Sequence, residues 1–121
     1  MAYPYVPPLQ NKFIVVSIPD ISTADEVYFT PGFAGKIRRI FSCIDGTIAT
    51  DDADLTCKIG TTAVTGGLIT VAASGSASGD IDSVFPTALN SFSSTDFIEM
   101  ETDGASTNTV KVTVTFELEP A

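Results

Sequence analysis

The amino-acid sequence predicts an all-β fold: a single antiparallel β-sandwich of about eight strands, similar to a jelly roll. The first observation is the run at residues 109–118, where valine, phenylalanine and leucine alternate with lysine, threonine and glutamate. A period of two in β-branched and aromatic residues is typical of a half-buried antiparallel strand. The second is the recurrence of short apolar runs every ~8–12 residues, separated by turn-forming residues, as in sandwiches and barrels. The third is that no segment has a convincing helical pattern. A strand with one apolar face needs a second layer to cover it.

Length and composition allow one domain and exclude several classes of function. The chain has 121 residues, of which 44% are hydrophobic and 17% charged. A chain of this size buries roughly two-thirds of its unfolded surface, which is enough for one core. Six basic and fifteen acidic residues give a net charge of −9. Because an acidic protein repels phosphate backbones, we expect no nucleic-acid partner.

We expect eight strands in chain order. The predicted strands are residues 12–18, 26–30, 35–44, 55–59, 68–72, 80–85, 97–102 and 109–118. The first carries apolar residues on both faces, which predicts a strand covered on both sides. The third has mixed faces near Arg38 and Arg39, which predicts either a β-bulge or an outer face covered by another element.

The connections have the composition of turns and loops. Residues 45–54 are interpreted as an acidic hairpin loop, and Gly66-Gly67 and Asp103-Gly104 as turns. Residues 87–95 are predicted to form a long connection. Phe33, Phe85, Leu89 and Phe92 lie in loop-rich segments, either as plugs of the core or as contacts in an assembly.

The two cysteines, Cys43 and Cys57, lie symmetrically about Thr50. A hairpin folded there would place them opposite each other, so a cross-strand disulfide is one alternative. The other is a pair of reduced, buried thiols. A zinc site is not expected, because the chain has no histidine and no third cysteine. The aspartates of residues 45–54 do not have the spacing of an EF-hand, so we expect no metal.

The first eleven residues predict an extended arm, and residues 12–121 the sandwich domain. The arm contains three prolines and two tyrosines, and proline favours extended, polyproline-like backbone. It is either a frayed terminus or a segment that docks on a neighbouring subunit, since its apolar side chains are unfavourable in water. We find no secretory signal and no apolar run long enough for a membrane span, so we expect a protein made in a cytoplasm, with no membrane partner.

A resemblance to a known class rests on three segments. These are Gly66-Gly67-Leu68-Ile69-Thr70-Val71-Ala72, then Ser74-Gly75-Ser76-Ala77-Ser78-Gly79-Asp80, then Asp96-Phe97-Ile98-Glu99-Met100-Glu101-Thr102-Asp103-Gly104. In this pattern the chain resembles small virion proteins of tailed bacteriophages, the class that includes capsid decoration (cement) proteins. The resemblance implies a homo-oligomer, with a trimer favoured, that binds the major capsid protein or another virion protein on the virion. It also implies that the arm makes the contact, through Tyr3, Pro4, Tyr5, Val6, Pro7 and Pro8.

The sequence offers no catalyst, and we expect neither an enzyme nor a cofactor. Without histidine there is no acyl-transfer triad. Glu99 and Glu101 share a strand face, but such a carboxylate pair needs a cleft with aromatic platforms, and tryptophan is absent. The alternative function is a carbohydrate-binding jelly-roll module for host-surface recognition, with Tyr28 as its main strand-borne tyrosine.

Overall fold

The computed structural model describes residues 10–121, and this part of the chain is all-β, as predicted. Each of the eight predicted strands overlaps a strand of the structure, although the last one begins at Val112 and not at residue 109. The nine strands are β1 (Lys12–Ile18), β2 (Glu26–Phe29), β3 (Gly35–Ile44), β4 (Ala53–Ile59), β5 (Thr62–Val71), β6 (Ile81–Val84), β7 (Ser91–Phe92), β8 (Ile98–Thr102) and β9 (Val112–Pro120).

The strands form two antiparallel sheets. Sheet A has the order β1-β9-β3-β6, with the short β7 pairing to one end of β3, and sheet B has the order β2-β8-β4-β5. Within residues 10–121 the chain passes from one sheet to the other at six of the eight connections between strands, and β9 returns between β1 and β3. This connectivity is that of a jelly roll and confirms the predicted fold class.

The core lies between the two sheets. The last strand supplies Val112, Val114, Phe116 and Leu118, all fully buried. The Phe116 ring packs against Phe29 of sheet B, with 4.9 Å between ring centroids. Burying each such side chain contributes about 1.5–3 kcal/mol. The alternation of β9 therefore holds the two layers together.

A β-bulge in β3 turns two arginines outward. The register of β3 against β9 shifts between Ile37 and Arg39. As a result Ile37 and Ile40 both point into the core, three residues apart, while Arg38 and Arg39 both lie on the outer side. Of the two predicted alternatives, the β-bulge is the one confirmed, and it resolves the conflict between the two faces of this strand.

The predicted hairpin at residues 45–54 is wrong. The chain leaves β3 in sheet A and enters β4 in sheet B, so these strands do not pair. The crossing is fixed by Ile48, which is buried and whose backbone N–H donates to Ser76 Oγ at 3.0 Å. The two cysteines consequently belong to different sheets and are free thiols, so the disulfide alternative is wrong.

Two further connections differ from prediction. Gly66-Gly67 lies inside β5 instead of forming a turn before it, because Gly66 takes a φ of 77° at an irregularity of this strand. The connection 87–95 contains β7, which directs Phe92 into the core against Phe33. Phe33 and Phe92 are thus core plugs, whereas Phe85 and Leu89 are exposed.

No helix in residues 10–121 is long and apolar enough to cross a membrane.

Candidate functional site

The candidate site is the solvent-facing side of sheet A, which carries exposed apolar side chains on its two edge strands, β1 and β6. In a sheet covered on one side only, this side is expected to be polar. Here it is rich in aliphatic and aromatic groups. The sheet A outer face is defined by Phe13 and Val15 of β1, Thr113 and Thr115 of β9, Phe41 and Cys43 of β3, Ile81 of β6, and Phe85 just after it.

The apolar side chains of the sheet A outer face are exposed to an unusual extent. Phe13 and Val15 are 60% and 59% exposed, and Ile81 and Phe85 are 69% and 62% exposed. Four large apolar side chains on one surface expose a contiguous patch of the kind that marks an interaction site. The sequence predicted that β1 is covered on both faces, and no residue of 10–121 covers its outer face. The described residues therefore contain no element that would cover this face of β1 as predicted.

Strand register aligns these residues in rows. Val15 pairs with Thr115, which pairs with Phe41, and Phe41 pairs with Ser83. In the next row, Thr113 pairs with Cys43, and Cys43 with Ile81. The small threonines of β9 therefore lie between larger side chains on either side.

This arrangement forms a shallow groove along β9. Its volume is about 310 Å³, and its lining is mostly apolar. The threonines form the floor, and the rings of Phe13 and Phe41 form the walls. The lining residues are Phe13, Phe41, Ser42, Cys43, Ile81, Thr113 and Thr115.

One end of the groove carries charge. Glu117 lies in the row between Phe13 and Arg39. The Arg39 guanidinium lies 3.7 Å from the centroid of the Phe41 ring and 3.9 Å, nitrogen to oxygen, from the Glu117 carboxylate. At that distance the ion pair is an electrostatic contact without a hydrogen bond. Beside it, Asn11 Nδ2 donates to Glu117 Oε2 at 2.8 Å.

The basic residues are concentrated on this sheet. Sheet A strands contain Lys12, Lys36, Arg38 and Arg39 of the six basic residues, against Asp82, Glu117 and Glu119. Sheet B strands contain Lys58 alone, against Glu26, Asp54, Glu99 and Glu101. Acidic residues therefore outnumber basic residues on the strands of sheet B, but not on the strands of sheet A.

Sheet B has an outer face of different chemistry. The Tyr28 and Phe97 rings meet edge to face at 5.6 Å, and Tyr28 Oη donates to Glu26 Oε1 at 3.3 Å. Lys58 Nζ donates to Glu101 Oε2 at 2.9 Å. Glu101, through this hydrogen bond and its charge, raises the pKa of Lys58.

Glu99 is the most enclosed carboxylate of this face. It lies between Tyr28 and Lys58 in register and is only 9% exposed. Desolvation raises the pKa of Glu99, and the charges of Glu101 and Glu26 raise it further, against the opposing effect of Lys58. Glu99 and Glu101 share a face of β8, as predicted. Glu101 is hydrogen-bonded to Lys58, and the charged neighbours of Glu99 are Lys58 and the carboxylates of Glu101 and Glu26.

Within residues 10–121, no group of three or more histidine, cysteine, aspartate or glutamate side chains has the arrangement of a metal site. Two of the aspartates in residues 45–54 make hydrogen bonds within the fold. Asp52 accepts from the backbone N–H of Ala73 at 2.9 Å, and Asp54 accepts from Thr70 Oγ1 at 2.8 Å.

The thiols differ in environment. Cys57 is fully buried in sheet B, and burial raises its pKa to about 12. Cys43 is half-buried in the groove of sheet A.

The residues predicted to bind a partner, Tyr3, Pro4, Tyr5, Val6, Pro7 and Pro8, lie outside the described residues. The groove itself was not predicted. Its signal was present in β1, where Phe13 and Val15 alternate with the inward Ile14 and Val16. This second apolar set was interpreted as the mark of a strand covered on both sides.

Comparison with known proteins gives no match, either to a protein-family model or to a curated protein.

Proposed function

We propose that this chain is a structural protein that works by binding other protein chains in a large assembly, and that it is a capsid decoration protein of a tailed bacteriophage. The observation that carries the proposal is the sheet A outer face. An apolar patch on a protein with a net charge of −9 marks a contact that is covered in the working state. The kind of assembly, a phage particle, is proposed from the resemblance of residues 66–80 and 96–104 to small virion proteins.

The proposed partners are the major capsid protein, or another virion protein, and further copies of this chain. A jelly roll leaves edge strands, here β1 and β6 of sheet A, that soluble proteins must protect. Symmetric association covers such edges, and cyclic symmetry closes the assembly, with a trimer favoured. The proposed location is the virion.

The test is co-sedimentation of the purified protein with phage shells that lack it. Ile81→Glu places a carboxylate on the sheet A outer face at a side chain that is 69% exposed, so the fold is not expected to change. Leu68→Glu makes the same substitution on the exposed outer face of sheet B and is the matched control. We expect the wild type and Leu68→Glu to sediment with shells and Ile81→Glu to stay in the supernatant. A wild type that never sediments with shells, or an Ile81→Glu variant that binds as well as the wild type, would overturn the proposal.

A second candidate function rests on the outer face of sheet B. The exposed Tyr28 and Phe97 rings with Glu26 beside them combine aromatic faces with a carboxylate, which is the chemistry of carbohydrate sites. This would be a carbohydrate-binding module for host-surface recognition. A glycan array with the wild type and Tyr28→Ala tests it. Binding that is lost in Tyr28→Ala favours this candidate, and an array without bound glycans removes it.

A further inference from the structure

We propose that the groove along β9 is the receptor for residues 3–8 of a second copy of this chain. The inference rests on the proposed function in taking the sheet A outer face as an assembly contact, and it names the segment that fills it. Four properties support it. They are the dimensions of the groove, its lack of free backbone hydrogen-bonding groups, the composition of the segment, and the point where the N-terminal arm joins β1.

The groove has the dimensions of one extended segment. Its walls, Phe13 on β1 and Phe41 on β3, belong to strands on either side of β9. Two strand spacings separate these walls by about 10 Å, the width of a single extended chain. From the row of Glu117 to the row of Thr113 the groove runs about 14 Å along β9. Polyproline geometry advances about 3.1 Å per residue, so roughly four to five residues fill this length.

The groove offers no free backbone groups. β9 is paired along its length with β1 on one side and β3 on the other. A segment in the groove therefore cannot satisfy its N–H groups by adding to the sheet, and a donor buried there without a partner is costly. The best occupant is one with few N–H groups to satisfy.

The arm has this property. Residues 3–8 contain three prolines, which have no N–H, together with two tyrosines and a valine. Docking of proline-rich segments in aromatic-lined grooves is a general recognition mode, since the extended form costs little entropy to fix. The segment has no charged side chain, so its burial adds no repulsion between two copies that each carry a net charge of −9.

The position of Asn11 favours a groove on another copy. Its side chain is held by Glu117 at the end of the groove beside Phe13. To enter the groove of its own subunit, the chain would have to reverse direction within Leu9 and Gln10. Neither leucine nor glutamine is a preferred turn residue. The groove of a neighbouring copy requires no reversal.

Light scattering coupled to size-exclusion chromatography tests the proposal on the full chain. The arm variant is Tyr3→Ser/Tyr5→Ser, and the groove variant is Thr115→Arg, which fills the floor with a long charged side chain. Phe13→Ser is a second groove variant that removes one wall at a side chain that is largely exposed, and Leu68→Arg is the control on sheet B. We expect the wild type and Leu68→Arg to have the mass of an oligomer, and the three other variants the mass of one chain, with unchanged circular dichroism.

A mixing experiment separates a second copy from the same chain. The arm variant keeps an intact groove, and Thr115→Arg keeps an intact arm, so an equimolar mixture should restore a species with the mass of two chains. A mixture that stays at the mass of one chain would overturn the proposal, and so would arm and groove variants that keep the wild-type mass. The proposed function fails on a different result, the absence of shell binding by the wild type.

Discussion

The guanidinium of Arg39 stacks on the ring of Phe41, 3.7 Å from its centroid, at the edge of the groove in sheet A. These residues are two apart in β3, and the bulge between Ile37 and Arg39 brings both to the outer face. The stacked cation thus covers one end of an apolar surface without closing the groove.

Removal of the Arg39 side chain is expected to lower the free energy of unfolding by a small but measurable amount. Arg39→Ala removes the stacking on Phe41 and the electrostatic attraction to Glu117, which together contribute about 0.5–1 kcal/mol at a partly exposed site. Arg38→Ala is the matched control. Its ion pair with Glu119 joins two exposed side chains, so its loss is expected to cost about 0–0.5 kcal/mol. Urea unfolding of both variants measures the difference, and equal losses would contradict the stacking contribution.

Substitution of two phenylalanines on neighbouring strands is expected to lower the free energy of unfolding by very different amounts. Phe116→Ala removes a fully buried ring that contacts Phe29, and we expect a loss of about 3–5 kcal/mol in the free energy of unfolding. Phe13→Ala changes a 60% exposed ring, and we expect less than about 0.5 kcal/mol. Chemical denaturation at a concentration where the protein is monomeric gives both values. A large loss in Phe13→Ala would mean that its ring is part of the core of one subunit.

The hydroxyl of Thr102 is expected to stabilise the connection before β2. Thr102 Oγ1 donates to the Thr23 carbonyl at 2.6 Å and accepts from the Asp25 N–H at 3.0 Å, and its side chain is buried. Thr102→Val keeps the shape and leaves both backbone groups unsatisfied, so we expect a loss of about 1–3 kcal/mol. Thr70→Val removes an exposed hydrogen bond to Asp54 and is expected to change stability by less than about 0.5 kcal/mol. Thermal unfolding monitored by circular dichroism distinguishes the two.

The acidic face of sheet B predicts a pH dependence through Glu99. Its pKa is raised in the folded protein above the ordinary value of 4.5, mainly by desolvation. The folded state therefore binds the proton more tightly than the unfolded state, and the contribution of Glu99 to stability is full below pH 4.5 and is lost as the pH rises through the folded pKa. Glu99→Gln is expected to be more stable than the wild type at neutral pH. The difference should shrink as the pH falls towards 4.5, as measured by urea unfolding across this range.

Asp20 provides a control of opposite sign. Hydrogen bonds from the Ser22 side chain and backbone hold its pKa below the ordinary value of 3.8. Its contribution is therefore present above pH 3.8 and is lost as the pH falls through the folded pKa. Asp20→Asn should be less stable than the wild type at neutral pH, with a difference that fades in acid. Parallel pH profiles of the two variants would contradict both assignments.

The sequence predicts those parts of the fold that depend on local alternation. The bounds of β1 and β3 agree with prediction, and the conflict between the two faces at Arg38 and Arg39 indicates the bulge. These features are local because a strand with one buried face must keep its apolar residues in register, and an extra residue must be absorbed where the register changes.

The features that sequence reasoning missed depend on contacts between distant parts of the chain. The chain crosses between sheets after β3 because Ile48 is buried and hydrogen-bonded to Ser76, twenty-eight residues further on. Gly66-Gly67 has the composition of a turn, and only pairing with β4 on either side places it inside a strand. The groove was missed for the same reason, since alternation alone does not say which of two apolar faces is covered.

Cys43 provides the most direct measurement of the central claim, that the sheet A outer face is covered in the assembled protein. It is half-buried in the groove, while the buried Cys57, with a pKa raised to about 12, serves as an unreactive internal reference. The measurement is the rate of iodoacetamide labelling of Cys43 in the wild type, followed by mass spectrometry at increasing protein concentration and then with phage shells present. We expect labelling of Cys43 to slow as the protein assembles and to slow in the presence of shells. A Cys43 rate that is the same in the dilute, concentrated and shell-bound protein would contradict it.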